Sequence, residues 1–239
     1  MAVEDKEKKD LVNRINDILD RFILNLNRIK NLLSFPKGID AKIDEKKYRA
    51  YLREIYRAMV VLLHASFEDV LREIIRLKLG ECSEDVLNAI PIVEPPPNGK
   101  RLKFSLGILS RHRGKSIEQL IQESINDFLD RTSFNSCKQI ASMLELISID
   151  VSTLRKYFPK LDKMILRRHQ IVHKADLIGS LDKLHSATIE PSEITDWALT
   201  VGAFITELLG LIHPKMTKDT IFKNLLKRYK RLEKSTPMK

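Results

Sequence analysis

Apolar side chains recur every three or four residues along most of this 239-residue chain, and this spacing constrains its fold more than any other feature. The recurrence matches the 3.6-residue turn of an α-helix and places the apolar residues on one face. One such stripe runs along residues 4–33, and a longer one runs along residues 44–79. No segment shows the strict alternation that is typical of a half-buried strand. The sequence therefore predicts an all-α protein.

Glycine and proline mark the ends of the predicted helices. Residues 35–38 follow the first stripe, Gly80 follows the second, and the proline-rich residues 91–99 cannot be helical. Shorter helices are predicted at residues 116–129, 135–147, 159–175 and 190–212. Because helices flank residues 91–99 on both sides, we interpret them as an insertion loop in one domain, 1–214. A basic amphipathic tail helix is predicted within 215–239.

The charge of the chain favours contact with polyanions. It carries 42 Lys and Arg against 32 Asp and Glu, a net charge of +10 at neutral pH. Residues 101–115 contain five basic and no acidic residues, and residues 215–239 contain nine basic and two acidic residues. Such blocks can meet nucleic-acid phosphates, and they can equally serve as a solubilising surface.

The sequence has no feature of a membrane or secreted protein. No apolar run reaches the roughly 18 residues that would span a bilayer, and residues 1–6 have no hydrophobic signal core. We therefore expect a cytoplasmic protein that does not associate with a membrane. Its two cysteines, Cys82 and Cys137, are far apart in the sequence, so we expect both to be reduced and structural.

One predicted helix carries residues suited to phosphate chemistry. His169 and His173 are four residues apart and share a helix face, while Arg168 lies about 140° around the helix from His173. Histidine titrates near neutral pH and can accept or donate a proton. Arginine binds a phosphate through two N–H groups. These residue types suit cleavage of an RNA backbone, although one helix presents only part of such a site.

A zinc site is the alternative interpretation of the two histidines. His169 and His173 have the spacing of the HExxH motif, but Gln170 stands where the general base belongs and cannot accept a proton from bound water. Asp176 and His185 are candidate third ligands without a diagnostic spacing. We therefore expect no metal and no other cofactor.

The segment from Arg168 to His173 resembles the Arg-polar-x3-His signature of the HEPN superfamily, with His169 in the polar position. Two other segments are similar to HEPN proteins: residues 65–74 (Ala-Ser-Phe-Glu-Asp-Val-Leu-Arg-Glu-Ile), and residues 189–194 leading into an apolar helix. The resemblance covers roughly residues 11 to 212. It implies an antiparallel helical bundle, here with extra N-terminal, insertion and C-terminal helices.

The resemblance also implies a function. Many HEPN proteins are metal-independent endoribonucleases that act as homodimers, in which each subunit supplies an Arg and a His to one composite site. Many act as toxins with an antitoxin partner or in defence against phage. Others have no cleavage activity and bind a nucleic acid or a partner protein. RNA is therefore the expected partner, and a catalytically inactive binding module is the alternative.

On this interpretation His173 is the main acid/base, Arg168 holds the scissile phosphate, and His169 positions the substrate or transfers a second proton. Glu68 is expected to hold Arg168 or His173 in place, and Asp176 to orient an imidazole across one helical turn. The alternative is that Arg168 and the histidines only pair with acids inside the bundle. Further contacts to RNA are expected from the basic residues Arg167, Lys174, Arg111 and Arg113.

Overall fold

The computed structural model describes residues 2–34, 44–92, 109–178 and 185–212, and the side chains within 11–34, 44–92, 109–177 and 187–212. Over these residues the chain forms seven α-helices, and the all-α prediction is confirmed. The helices are α1 (Ala2–Ser34), α2 (Glu45–Leu79), α3 (Glu84–Leu87), α4 (Ile117–Arg131), α5 (Cys137–Leu146), α6 (Phe158–Lys174) and α7 (Pro191–Ile212). The predicted tail at 215–239 and residues 93–99 of the predicted loop lie outside the described ranges.

Shorter elements connect the helices. Two 3-10 turns, Ser110–His112 and Arg155–Tyr157, precede α4 and α6. After α6 the strand β1 (Leu177–Ile178) pairs antiparallel with β2 (His185–Ser186). A pairing of two residues on each side is too short to leave an alternating pattern in the sequence, and this is why the sequence did not indicate it.

Local side-chain hydrogen bonds explain where the helices begin. Ser116 is the N-cap of α4: its hydroxyl accepts from the Gln119 backbone N–H at 3.1 Å, and the Gln119 side chain accepts from the Ser116 N–H at 2.8 Å. This reciprocal pair satisfies two backbone donors that the helix leaves open. Pro159 lies in the first turn of α6, as predicted, where its missing N–H costs nothing. Gly80 caps the end of α2, also as predicted.

Helix α2 is the centre of the bundle and packs against α1, α4, α6 and α7. Its buried Phe67 meets Phe204 of α7 edge to face, with ring centroids 5.5 Å apart. Tyr157 and Phe158, at the start of α6, lie on the other sides of Phe204. Burial of one such aromatic side chain contributes about 1.5–3 kcal/mol. This aromatic cluster therefore joins α2, α6 and α7 into one core.

Three polar contacts fix the N-terminal half of α6. The Tyr157 hydroxyl donates to the buried Glu207 of α7 at 2.8 Å, and the Cys137 backbone N–H of α5 donates to Asp162 at 2.9 Å. Lys160 also pairs with a carboxylate of α7, at 2.7 Å. These contacts attach the N-terminal end of α6 to α5 and α7. The bundle therefore determines the direction in which the C-terminal end of α6 points.

Helix α7 is long and apolar enough to span a membrane by length and composition. Its apolar side chains, however, lie largely inside the bundle, and 56% of its most apolar window is buried. Ile194, Val201, Phe204 and Leu208 are all part of the hydrophobic core. The apolar character of α7 is therefore compatible with a core helix of a soluble protein.

Candidate active site on helix α6

The C-terminal half of α6 presents two histidine side chains to solvent. His169 and His173 are both exposed, and their ring centroids lie 4.6 Å apart with the planes inclined at 44°. The structure thus brings them together on one face, as their spacing predicts. Neither makes a hydrogen bond or ion pair with another described residue, so both rings are open to a substrate. We refer to His169 and His173 below as the imidazole pair.

Arg168 lies on the side of α6 that faces the bundle. It follows the buried Met164 by four residues and the buried Ile165 by three, so the three side chains share a face. Its side chain is half-buried and makes no hydrogen bond or ion pair with the residues that the structure describes. The guanidinium is therefore available for an anion, but it lies about 100° around the helix from His169.

The neighbouring Arg167 has a structural role. Both of its terminal nitrogens donate to Asp176, one of them at 2.8 Å, and one also donates to the Ala187 backbone carbonyl at 2.8 Å. Arg57 of α2 donates to the same carboxylate at 2.7 Å. The Asp176 side chain has 0% exposure and that of Arg167 has 10%. We refer to Arg57, Arg167 and Asp176 as the carboxylate clasp.

The carboxylate clasp corrects two predictions. Arg167 was expected to contact RNA, but its guanidinium is occupied by Asp176 and turned into the protein. Asp176 was expected to orient an imidazole, but its two oxygens accept from Arg57 and Arg167. A fully buried carboxylate requires paired cations to compensate its lost hydration, and this requirement explains why both arginines turn toward it.

The clasp lies directly after the imidazole pair, where α6 ends. Ala175 and Asp176 have left-handed backbones, with φ of 47° and 58°. The Asp176 N–H donates to the Gln170 carbonyl at 3.1 Å, which closes the last turn of the helix. Non-glycine residues adopt this conformation at a cost, so the tertiary contacts of Asp176 help to hold the turn. The position of His173 is therefore linked to the clasp.

Glu68 does not make the predicted contact with Arg168 or His173 among the described residues. Its carboxylate accepts from the Phe134 backbone N–H at 3.3 Å. It also lies 3.6 Å from Nδ1 of His64 and 3.8 Å from Arg72, both on α2. A direct contact between the Glu68 carboxylate and α6 was expected, but the carboxylate lies next to His64 of α2.

His64, a buried histidine beside Glu68, was not among the predicted site residues. It is 1% exposed, and neither ring nitrogen has a hydrogen-bond partner among the described residues. Burial lowers the pKa of His64, the carboxylate of Glu68 opposes this shift, and the positive charge of Arg168 adds to it. The only signal in the sequence was its i,i+4 spacing from Glu68, since a lone histidine in an apolar stripe reads as core.

The other residues predicted to contact RNA lie on two different elements. Lys174 is exposed in the last turn of α6, next to His173. Arg111 and Arg113 are exposed on either side of the buried His112, in and just after the 3-10 turn that precedes α4. Lys174 therefore extends the surface of the imidazole pair, whereas the two arginines belong to a different element.

Metal ligands do not cluster in the described part of the chain. No group of three His, Cys, Asp or Glu is placed to hold an ion there. Asp176, one candidate third ligand, is enclosed by the two arginines of the clasp. The side chain of His185, the other candidate, lies outside the described residues.

A late helix of this bundle carries Arg168 and His173 with the Arg-x4-His spacing of the HEPN signature. A family model described as RiboL-PSP-HEPN matches residues 23–213, which include α2, α6 and α7 in full. The chain belongs to this HEPN family, and the resemblance noted in its sequence is confirmed. Neither the curated proteins nor the solved structures contain a significant match. Membership associates the chain at a coarse level with RNA-directed functions, nuclease activity among them.

Proposed function

We propose that this protein is a metal-independent RNA endonuclease that acts as a homodimer. The observation that carries the proposal is the imidazole pair, exposed and 4.6 Å apart on the helix that bears the family's signature. Arg168, on the same helix, has no hydrogen bond or ion pair with a described residue and is free to bind a phosphate. The neighbouring Arg167 is enclosed in the carboxylate clasp.

The reaction uses the nucleophile that RNA itself carries. The 2′-hydroxyl attacks the adjacent phosphorus as a base removes its proton, and the bond from phosphorus to the 5′-oxygen breaks as that oxygen receives a proton. His173 is the main acid/base, and His169 positions the substrate or serves in the second proton transfer. Arg168 neutralises the charge that develops on the phosphorane oxygens. The products carry a 2′,3′-cyclic phosphate and a 5′-hydroxyl.

The helix geometry favours a site assembled from two subunits. Arg168 and His173 are about 140° apart around α6, so a single helix presents them to different sides. Leu166 lies on the same face as the imidazole pair and is 57% exposed, and the nearby Val172 is 47% exposed. Apposition of two α6 helices would bury these apolar side chains and bring the Arg of one subunit near the His of the other.

The test is cleavage of a mixed RNA pool in EDTA by wild type, Arg168→Ala and His173→Ala. The matched control is Lys138→Ala, which removes an exposed positive charge at the start of α5. We expect wild type and the control to cleave alike and to leave cyclic phosphate ends. Each signature variant should lose about a hundredfold or more in rate. Intact RNA in all lanes would contradict the proposal and favour the alternative, a binding module without cleavage activity.

Subunit mixing tests the composite site. Arg168→Ala and His173→Ala are each expected to be inactive, whereas a mixture that exchanges subunits should regain cleavage, because the intact Arg of one chain meets the intact His of the other. A mixture as inactive as its components would contradict a shared site. Size-exclusion chromatography with light scattering gives the mass of the active species independently.

We further propose that the enzyme is a cytoplasmic toxin or an effector of phage defence, controlled by a partner protein. The family membership and the enzymatic proposal support this role. Induction of wild type in a bacterial host should stop growth, and His173→Ala should relieve the arrest at equal expression. Normal growth with soluble, active wild type would contradict a toxic role. Affinity purification of His173→Ala is the means to recover the partner.

A further inference from the structure

His64 is a buried polar side chain that the fold does not require. It is 1% exposed in the middle of α2, between the apolar Leu63 and the tightly packed Phe67. Neither ring nitrogen has a hydrogen-bond partner among the described residues. Leaving a buried donor or acceptor without a partner destabilises the native state, and an apolar side chain of similar size would remove that penalty. A buried histidine that is present despite this penalty indicates that its polar group has a function.

The charged groups around His64 lie on two helices. On α2 the carboxylate of Glu68 is 3.6 Å from Nδ1 of His64, and Arg72 lies one turn further. From α6, which packs against α2, Arg168 exerts an electrostatic effect on the ring. The Phe134 backbone carbonyl also approaches the imidazole, but it forms no hydrogen bond of normal geometry with it. His64 therefore lies next to the Glu68 carboxylate, on the helix that packs against the helix of Arg168.

We propose that His64 is a positioning residue for Arg168, linking the Glu68 carboxylate to the guanidinium that binds the scissile phosphate. This inference rests on the proposed nuclease function. Nδ1 carries the proton on the side of Glu68, so that the unpaired Nε2 offers a lone pair to a guanidinium N–H of Arg168 when the guanidinium binds phosphate. In the phosphate-bound state Glu68 thus acts on Arg168 through His64, in place of the direct contact expected from the sequence.

The neutral form of the ring is essential to this arrangement. A protonated imidazole has no lone pair, and it would repel the guanidinium. Burial lowers the pKa of His64, with further contributions from Arg168 and Arg72, so the ring is held neutral at physiological pH although Glu68 opposes the shift. A neutral imidazole accepts a hydrogen bond without adding charge next to the phosphate site.

The first test separates function from stability. His64→Leu should lower the single-turnover cleavage rate by about a hundredfold, the cost of misplacing a catalytic group by about 1 Å. Its urea midpoint should equal or exceed that of wild type, because the unpaired polar group is gone. His64→Gln, whose amide oxygen can accept from Arg168, should recover part of the rate. Unchanged cleavage by His64→Leu, or a fall in stability that accounts for its loss, would overturn the proposal.

His112 supplies the matched control for this test. It is also buried, and its ring nitrogens also have no hydrogen-bond partner among the described residues, but it lies in the 3-10 turn before α4. His112→Leu should leave the cleavage rate unchanged, with a urea midpoint at or above that of wild type. An equal loss of cleavage in His64→Leu and His112→Leu would assign the effect to buried histidines in general, and it would overturn a specific link to Arg168.

A second measurement does not depend on cleavage. In NMR spectra recorded with inorganic phosphate, the Nε–Hε group of Arg168 should be ordered in wild type and mobile in His64→Leu. The pKa of His64 should rise in Arg168→Met and fall further in Glu68→Gln. If wild type does not cleave RNA but these shifts appear, the nuclease proposal fails and the positioning link stands. An Arg168 resonance that His64→Leu leaves unchanged would overturn the link, whatever the cleavage assay shows.

Discussion

Arg167 and Asp176 close the end of helix α6 through a two-pronged ion pair in which both carboxylate oxygens are bound. The next residue in the sequence, Arg168, has no such partner among the described residues. Two consecutive arginines of one helix thus have different uses, because a step of one residue turns a side chain by about 100°. One stabilises the fold, and the other remains available to a ligand.

The carboxylate clasp is expected to be a large contributor to stability. Asp176→Ala leaves Arg167 buried without a counter-charge and leaves Arg57 with only the exposed Glu54, so the free energy of unfolding should fall by about 3–5 kcal/mol. Asp176→Asn should cost less, since asparagine keeps one acceptor and tolerates the left-handed backbone. Urea unfolding followed by circular dichroism measures both.

Asp196→Ala is the control for the clasp, because its pair with Lys160 is half exposed. Surface ion pairs of this kind contribute about 1 kcal/mol or less. Equal losses in the free energy of unfolding for Asp176→Ala and Asp196→Ala would show that the buried clasp contributes no more than an exposed ion pair. Such a result would remove its role at the end of α6.

Arg167 and Arg168 should be distinguishable by their effects on the free energy of unfolding alone. Arg167→Ala removes one of the two cations from the buried Asp176 and should lower the free energy of unfolding by about 3 kcal/mol or more. Arg168→Ala removes no pair with a described residue, so its effect should stay under about 1 kcal/mol. Thermal unfolding of both variants at one pH is sufficient. The reverse order would contradict the assignment of the two side chains.

Stability should fall in acid partly through His64. Burial lowers the pKa of His64 in the folded state, whereas in the unfolded chain it is about 6.5. The unfolded state therefore binds more protons as the pH drops below about 6.5, and the free energy of unfolding decreases until the folded pKa is reached. Urea midpoints at about pH 7.5 and pH 5.5 should differ less in His64→Leu than in wild type. Parallel pH profiles would contradict this assignment.

The two cysteines should differ in reactivity. Burial, together with a contact to Asp162, raises the pKa of the Cys137 thiol far above its usual range, and burial also raises the pKa of the half-buried Cys82. A thiol-specific reagent at neutral pH should label Cys82 slowly in the native protein and Cys137 only after unfolding, since the thiolate is the reactive form. Cys82→Ser should then show no native labelling. Rapid labelling of Cys137 would indicate that α5 opens from the bundle.

Local rules account for the parts of the fold that were predicted from sequence. The hydrogen bonds between Ser116 and Gln119 involve residues three apart, and the proline in the first turn of α6 acts on its own helix. Helix type and most helix ends follow from such short-range chemistry and from apolar spacing. The shared face of the imidazole pair is equally local, and the structure confirms it.

The surroundings of the site depend on contacts that sequence spacing does not encode. Arg57 and Asp176 are 119 residues apart and meet only because α2 packs against the end of α6. Arg167 therefore looked like a surface cation and Asp176 like a partner of His173. Sequence spacing did not point to His64 for the same reason, since its relation to Arg168 appears only when the two helices are placed together.

The position of α7 in the core has a consequence for the order of synthesis. Phe204 of α7 supplies the aromatic ring against which Phe67 and the start of α6 pack. While the chain is being translated, α6 is made before this ring exists, so α2 is present to cover part of the apolar side of α6 but α7 is not. Folding of a domain proceeds as a unit, and this unit closes only after residues 191–212 have been added. The imidazole pair is thus brought into its final setting only after residues 191–212 have been made.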